Sequence, residues 1–200
     1  MPELMLQRFT GEKAAEGVGW LRELAEGGDI RSMISLREVL SKGMSGVEKN
    51  PWESCKWSKK IAEAGAPIGY FFLASCYVEG EGVPLNRTEA MRLMKLGAER
   101  DEIIAQIGLA KLYFQASQMP INEETKVVTR DLAYFWSCTA ASNPGSSIFL
   151  NGIGPSEAEP ARRTARDLRD QIERSMSPDE VRNQQELAAK WVSEHRTYQK

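Results

Sequence analysis

The chain has 200 residues, 42% of them hydrophobic, which is enough for one sizeable core or a short array of repeats. Lysine and arginine number 26 against 28 for aspartate and glutamate, so the net charge of -2 gives no basic field for nucleic acid. No run of about 18 apolar residues is present, so we expect no membrane span. Residues 1–13 lack a signal-peptide pattern, which predicts a cytoplasmic protein, with the periplasm as the alternative if a leader has been removed.

A large apolar residue recurs along the chain at spacings of 37, 36 and 43 residues. It is found as Trp20, Trp57, Leu93 and Trp136. A fixed period of this size is typical of helical repeat proteins, in which each repeat contributes the same residue to a continuous core. We therefore predict a partial repeat at about 14–29, complete repeats at about 30–65, 66–101 and 102–142, and a closing region at 143–200.

The first complete repeat contains two predicted helices, A and B. Leu36 and Leu40 are four residues apart and share one face of helix A. Asn50 precedes helix B, with Glu53 three residues later, which is a capping-box pattern. Pro51 occupies the first helical position, where a missing N–H is tolerated.

The second repeat has the same organisation. Leu73 and Tyr77 occupy the columns of Leu36 and Leu40 on its helix A. The glycine-rich loop 80–82 allows a tight turn into helix B, which Asn86 and Glu89 open as a second capping box.

The third repeat is less regular. Leu109 and Tyr113 continue the helix A columns, but about seven additional residues lengthen the following loop. Thr129 takes the capping column of Asn50 and Asn86, which predicts a polar loop over 117–128 that includes Glu123 and Glu124.

The closing region begins with residues 142–160, which are rich in glycine, proline and serine and predict a loop. Two helices follow. Ala161, Ala165, Leu168 and Ile172 mark one face of the first helix, and Val181, Gln184, Ala188, Trp191 and His195 mark one face of the second. Ser177 and Glu180 form a capping box at the start of the second helix. We expect this pair to cover the end of the array.

Residues 66–101 resemble one Sel1-like repeat of the bacterial type. The resemblance depends on Leu73, Ala74, Tyr77, Gly80, Gly82, Val83, Ala90, Leu93, Gly97, Ala98 and Asp101. It implies an all-α fold: a single domain over 1–200, an α-solenoid of antiparallel helix pairs stacked in a right-handed superhelix similar to tetratricopeptide arrays, with capping helices at the C-terminus. It also implies that the A helices line the concave surface. Arg37 and Glu38 depart from the family pattern, in which these positions are small or polar.

The three cysteines, Cys55, Cys76 and Cys138, have no CxxC spacing. A zinc site is therefore not expected, and three free thiols in a reducing cytoplasm is the first interpretation. The alternative is a disulfide between Cys55 and Cys76 on neighbouring helices, if the protein is exported.

No catalytic or metal-ligating constellation is found in the sequence. His195 is the one histidine, and no serine or cysteine is placed to form a triad with it. The arginines of residues 162–174 alternate with carboxylates, which indicates a solvated helix face with local ion pairs. We therefore expect neither an enzyme nor a cofactor.

The resemblance predicts a binding surface on the A helices. It would consist of the A-helix positions that the core columns do not use and that therefore face outward. These positions are Ser35, Glu38, Lys42, Phe72, Ser75, Glu79, Gly108, Lys111 and Gln115. Phe72 is large for an outward position. It is either a binding anchor or a residue that packs against the opening left by Gly108.

Members of the Sel1-like family mostly act as adaptors or scaffolds. The resemblance therefore implies a protein that binds a partner protein on its concave surface. The narrower alternative is an immunity or inhibitor protein that neutralises a bacterial toxin or secretion-system effector. Should the A-helix positions not bind the partner, the loop before Val128 and the C-terminal cap are the next candidates.

Overall fold

The computed structural model describes residues 12–43, 47–144 and 158–196, and within these it contains nine α-helices and no strand. The loop predicted at 142–160 therefore lies largely outside the described residues. The chain forms two compact units, residues 1–93 (unit 1) and residues 94–200 (unit 2).

Unit 1 is a row of helices in which each of the first three packs against the next. The helices are α1 (Glu12–Glu26), α2 (Ile30–Lys42), α3 (Pro51–Glu63) and α4 (Pro67–Glu79). The following helix, α5 (Arg87–Ala98), begins in unit 1 and ends in unit 2. Short connections make consecutive helices antiparallel, so α2 and α4 are A helices and α3 and α5 are B helices of the predicted repeats.

Unit 2 is centred on one long helix. Its helices are α6 (Ile103–Ser117), α7 (Glu123–Ala141), α8 (Glu159–Glu173) and α9 (Pro178–Arg196). Helix α7 packs against all three of the others, and α8 also contacts α6. The core between α6, α7 and α8 includes Ile103, Ile107, Ala140 and Ala165.

The helix caps predicted from the capping-box patterns are confirmed, but the reciprocal half of the capping box does not form at Asn50 or Asn86, whose backbone amides donate to the Leu40 and Tyr77 carbonyls. Asn50 accepts a hydrogen bond from the Glu53 amide at 3.1 Å, and Asn86 accepts one from the Glu89 amide at 3.0 Å. At the start of α9 the exchange is reciprocal, because the Ser177 amide donates to Glu180 Oε2 at 2.7 Å and the Glu180 amide donates to Ser177 Oγ at 3.3 Å. Local side-chain chemistry therefore sets where these helices begin.

The predicted start of α7 is wrong. Asn122, not Thr129, caps the helix, since the Asn122 side chain accepts a hydrogen bond from the Thr125 amide at 2.8 Å. Thr129 lies inside the helix and donates to the Thr125 carbonyl at 2.7 Å. Glu123 and Glu124 belong to the first turn, where negative charge favours the helix N-terminus. The predicted long loop is thus mostly helix.

The B-helix column is buried at three of its four predicted positions. Trp57 and Leu93 are each 3% exposed and Trp136 is 6% exposed. Trp20 is wrong as a core residue, because 65% of its surface is exposed. Leu21 takes its place at 5% exposure, and its distance of 36 residues from Trp57 matches the period.

The A-helix column is buried at Leu36 and Leu109, both 0% exposed, but Leu73 is only half-buried. Leu73 lines a recess of about 540 Å³ in unit 1, together with Trp52 and Tyr77. The second repeat is therefore less tightly filled around its A helix than the regular sequence motif predicts.

Two glycines permit close backbone approach to α3. A β-carbon on Gly69 would lie 2.3 Å from the Ala62 backbone nitrogen, and one on Gly82 would lie 2.4 Å from the Pro51 carbonyl oxygen. Gly82 also has a φ of +77°, which favours glycine. The small residues of the repeat motif are thus needed for helix packing as well as for the turn.

In the part of the chain that the structure describes, no helix combines the length and the apolar character that crossing a membrane would require.

Candidate partner-binding surface

The outward positions predicted on the A helices of unit 1 are all accessible. On α2, Ser35 and Glu38 are half-buried and Lys42 is exposed. On α4, Phe72 and Ser75 are half-buried and Glu79 is exposed. We refer to these six positions and to Arg37 as the A-helix face of unit 1.

A recess of about 220 Å³ opens on this face between α2, α3 and α4. It brings together three of the predicted residues with others that the sequence did not single out for binding. Its polar and aromatic walls include Arg37, Ser41, Phe72, Ser75, Glu79 and Glu81. The recess is the feature of unit 1 in which the predicted positions converge, and we call it the Arg37 recess.

Arg37 is the residue that sequence reasoning missed as a binding candidate. The centre of its guanidinium lies 4.0 Å from the centroid of the Phe72 ring, which is a cation–π stack. Arg37 follows Leu36 and Phe72 precedes Leu73, so both flank the same core column on neighbouring A helices. That adjacency was the available signal.

The guanidinium of Arg37 has unused capacity for hydrogen bonds. Its Nε is buried and meets no acceptor among the residues that the structure describes. Burial lowers the pKa of Arg37, and the charges of Glu38 and Glu79 act in the opposite direction. An arginine remains protonated at any physiological pH, so the recess contains a partly desolvated cation.

The acidic groups around Arg37 are largely engaged elsewhere. Glu38 forms an ion pair with Lys42 on the same helix, and Glu81 forms one with Lys49 at 2.9 Å. Glu79, at the end of α4, is exposed. Arg37 therefore remains available to a carboxylate or carbonyl group of another molecule.

Phe72 has contacts within unit 1 that the sequence did not predict. Besides Arg37, its ring lies 5.8 Å from that of Phe71. Gly108, against which Phe72 was expected to pack, belongs to unit 2, so that contact stays a prediction. The half-buried, stacked ring suits an anchor that is held in place before a partner arrives.

A disulfide between Cys55 of α3 and Cys76 of α4 lies against the recess, with the two Cα atoms 6.1 Å apart. The first interpretation of the cysteines, three free thiols, is thus wrong for this pair, and the alternative bridge is correct. The bond joins the B helix of one repeat to the A helix of the next. It therefore fixes two walls of the recess relative to each other.

No family model matches the chain. Among solved structures, the chain is similar to c5321, a protective antigen present in uropathogenic Escherichia coli that displays an SLR fold. The TM-score is 0.56 at 17% sequence identity, over 91% of this chain and 42% of that one. It is also similar to a Sel1 repeat protein from Oxalobacter formigenes, with a TM-score of 0.51 at 22% identity, over 76% of this chain and 62% of that one.

The chain has the Sel1-like repeat fold. The all-α solenoid predicted from the 36-residue period and the repeat motif is thereby confirmed. The chain spans less than two thirds of the length of either solved structure.

In unit 2 of the Sel1-like array, the predicted A-helix positions lie on α6. Gly108 is half-buried, and Lys111 and Gln115 are exposed. They follow Gly108 at intervals of three and seven residues, so they share one helix face. They provide one positive charge and one amide to a partner.

Within the described residues, the Sel1-like array holds no group of three or more histidine, cysteine or acidic side chains that could bind a metal. Burial raises the pKa of the Cys138 thiol to about 11, so it is protonated at neutral pH and is a poor nucleophile. His195 stacks on Trp191 at a centroid distance of 3.9 Å, and its Nδ1 lies 3.0 Å from the Trp191 carbonyl oxygen. These contacts give the His195 and Trp191 side chains packing roles.

Proposed function

We propose that the chain is a protein-interaction scaffold that binds a partner protein through its A-helix positions. In unit 1 the partner would enter the Arg37 recess. The observation that carries the proposal is the stacked Arg37–Phe72 pair, an aromatic anchor beside a partly desolvated cation whose Nε meets no acceptor among the described residues. Aromatic and arginine side chains supply much of the energy of protein interfaces. On α6, Lys111 and Gln115 would add polar contacts.

The test begins with a partner captured from native cell extract and identified by mass spectrometry. Its affinity is then measured by isothermal titration calorimetry for the wild type, Phe72→Ser, Lys111→Glu and the double variant. We expect Phe72→Ser to weaken binding at least about tenfold, because it removes the anchor and leaves Arg37 unstacked. Lys111→Glu should weaken binding less, since it lies on an exposed helix face.

A matched control carries the same chemical changes away from the A helices. Leu85 is 58% exposed and Lys95 is exposed on α5, so Leu85→Ser with Lys95→Glu should leave the affinity unchanged. If the folded Phe72→Ser/Lys111→Glu variant binds as tightly as the wild type, the partner binds elsewhere and the proposal is wrong.

The narrower role of an immunity or inhibitor protein depends on the nature of the partner. It requires that the captured protein be a toxin or effector, and that the activity of this toxin or effector fall when the chain binds to it. The same capture experiment therefore separates this role from that of an adaptor.

We also propose that the protein works in an oxidising compartment, such as the periplasm. The Cys55–Cys76 disulfide supports this, because such bonds persist in oxidising environments and are rare in the cytosol. Trapping of free thiols in intact cells with an alkylating reagent tests it. Cys55 and Cys76 should be protected from alkylation until a reductant is added.

Reduction of the disulfide is expected to lower the free energy of unfolding by about 3 kcal/mol, because the bond closes a loop between residues 21 positions apart. Urea unfolding with and without a phosphine reductant measures the change. The Cys138→Ser variant should respond as the wild type does, since Cys138 is outside the bond. A Cys55→Ser/Cys76→Ser variant should be insensitive to the reductant. Equal stability of the oxidised and reduced wild type would contradict the prediction.

A further inference from the structure

Helices α7 and α9 of unit 2 lie side by side and run parallel. Arg130 of α7 pairs with Glu180 of α9 at 2.6 Å, and Gln185 donates to the Tyr134 hydroxyl at 3.0 Å. Further along, the rings of Trp136 and Trp191 are 5.4 Å apart. Residue numbers increase together on both helices, so the two run in the same direction.

An apolar groove of about 500 Å³ lies between these two helices. Val128, Leu132 and Phe135 line it from α7, at intervals of four and seven residues, and Leu187 and Trp191 line it from α9, at an interval of four. Each helix thus turns one apolar stripe toward the groove. Val128 and Leu187 are each 52% exposed, although both are aliphatic.

Aromatic packing fixes the floor of the groove. The Phe135 ring lies edge-on to Trp136 at 5.1 Å and edge-on to Trp191 at 6.4 Å. His195 stacks on Trp191 from the next turn of α9. A floor held in one arrangement costs little ordering entropy when a ligand binds.

The apolar lining of this groove is not shared by the larger recess of unit 1. The recess of about 540 Å³ in unit 1, which also lies beside B helices, has charged walls that include Lys56, Lys59, Glu89 and Arg92. If the groove were only a gap between helices, charged side chains could line it as they line the recess of unit 1. Exposed aliphatic residues in matching stripes are typical of a binding groove.

The charge at the edges of the groove is negative. Asp131 and Glu194 line it together with Lys190, whose ammonium lies 3.9 Å from Glu194 Oε1. Arg130 is shared between Asp131 and Glu180, at 2.9 and 2.6 Å. These groups comprise three carboxylates against two cations, which leaves one negative charge beside an apolar floor.

We infer that this groove binds a basic amphipathic helix of a partner protein. Two facing apolar stripes with helical spacing accept a third helix whose apolar residues recur at i, i+3 or i+4, and i+7. The stripe from Val128 to Phe135 spans about 10 Å at 1.5 Å per residue, so about two turns of helix fill it. Lysine or arginine at the edges of that helix would meet Asp131 and Glu194. This surface is separate from the A-helix positions, so the inference does not depend on the proposed function.

The probe is a fluorescein-labelled synthetic peptide of about 14 residues, with leucine on one helix face and lysine on the other. Fluorescence anisotropy with the full chain measures its dissociation constant. We expect binding in the micromolar range. A peptide with glutamate in place of every lysine should bind at least about tenfold more weakly, and added salt should reduce the difference.

Leu187→Asp and Val128→Asp should each weaken binding of the lysine peptide at least about tenfold, because each places a carboxylate in the apolar stripe. Both residues are half-exposed, so both variants should keep the helical circular dichroism of the wild type. Met119→Asp is the matched control, since Met119 is 42% exposed in the same unit and outside the groove, and it should bind like the wild type.

Three results would overturn the inference. The first is unchanged affinity for Leu187→Asp and Val128→Asp. The second is equal affinity for the lysine and glutamate peptides, which would leave the apolar contact without the charge selectivity. The third is sedimentation of the wild type as a dimer that Leu187→Asp converts to a monomer, because the groove would then be occupied by a second copy of the chain.

Discussion

Replacing Trp57 with alanine is expected to lower the free energy of unfolding by about 3–5 kcal/mol. Trp57 is 3% exposed on α3, which packs against α2 on one side and α4 on the other. Its indole Nε1 donates to Glu53 Oε1 at 3.4 Å, and the Lys60 ammonium lies 4.1 Å from the ring centroid. Removal of the ring leaves a cavity between consecutive helices and also loses these polar contacts. Urea unfolding measures the change.

Two other tryptophans are controls for the register of the repeat. Trp52 lies on the same helix but is 63% exposed, and Trp20 is 65% exposed. Alanine at either position should change stability by less than about 0.5 kcal/mol. Leu21→Ala should cost about 2 kcal/mol or more, because Leu21 is the buried member of the column in α1. Unfolding of Trp57→Ala at the wild-type urea concentration would show that the column is misassigned.

The parts of the fold that could be predicted from the sequence depend on local rules. A capping box involves four consecutive residues, so Asn50 with Glu53 and Ser177 with Glu180 are recognisable without tertiary information. The 36-residue period is equally visible, because the same packing problem recurs in each repeat. These two signals were sufficient to assign the helix pairs and the fold.

The errors arose where two local signals competed. At the N-terminal copy, side-chain size favours Trp20, whereas Leu21 keeps the 36-residue spacing to Trp57. At α7, column alignment favoured Thr129 over Asn122, which has two acidic residues directly after it. A cap with acids in the first turn is the stronger physical signal, because both groups satisfy the helix terminus.

The candidate surfaces could be predicted only in part, because they depend on which helices become neighbours. Phe72 was recognisable as a large residue at an outward position, but its stack with Arg37 requires that α2 and α4 adjoin. The apolar groove of unit 2 similarly requires that α9 lie parallel to α7. Val128 falls within the predicted loop 117–128, so the sequence does not place it on one helix face with Leu132 and Phe135.

Replacing Asn143 with alanine is expected to lower the free energy of unfolding by about 4 kcal/mol. Asn143 is 0% exposed just after α7, and its side-chain nitrogen lies 2.9 Å from Asp101 Oδ1 and 3.0 Å from Gln106 Oε1. Gln106 in turn donates to Asp101 Oδ1 at 3.1 Å. Asp101 is 5% exposed, so the variant removes a donor from a buried carboxylate that water cannot readily reach.

The backbone explains why a carboxylate is found there. Asp101 has a φ of +60° and lies 36 residues after Gly65, whose φ is +82°. In the second repeat an aspartate thus occupies the left-handed position that a glycine fills in the first, at a cost in backbone energy. The hydrogen bonds from Gln106 and Asn143 offset that cost and connect the turn after α5 to α6 and to the end of α7.

Urea unfolding of Asn143→Ala, with Asn122→Ala as the matched control, tests this account. Asn122 is an exposed cap, so its loss should cost about 1 kcal/mol. In an Asp101→Gly background the buried carboxylate is absent and the left-handed turn is relaxed, so Asn143→Ala should cost less than half as much as in the wild type. If Asn143→Ala lowers the free energy of unfolding equally in the two backgrounds, Asn143 stabilises unit 2 through packing alone. Its contribution would then not depend on the Asp101 carboxylate.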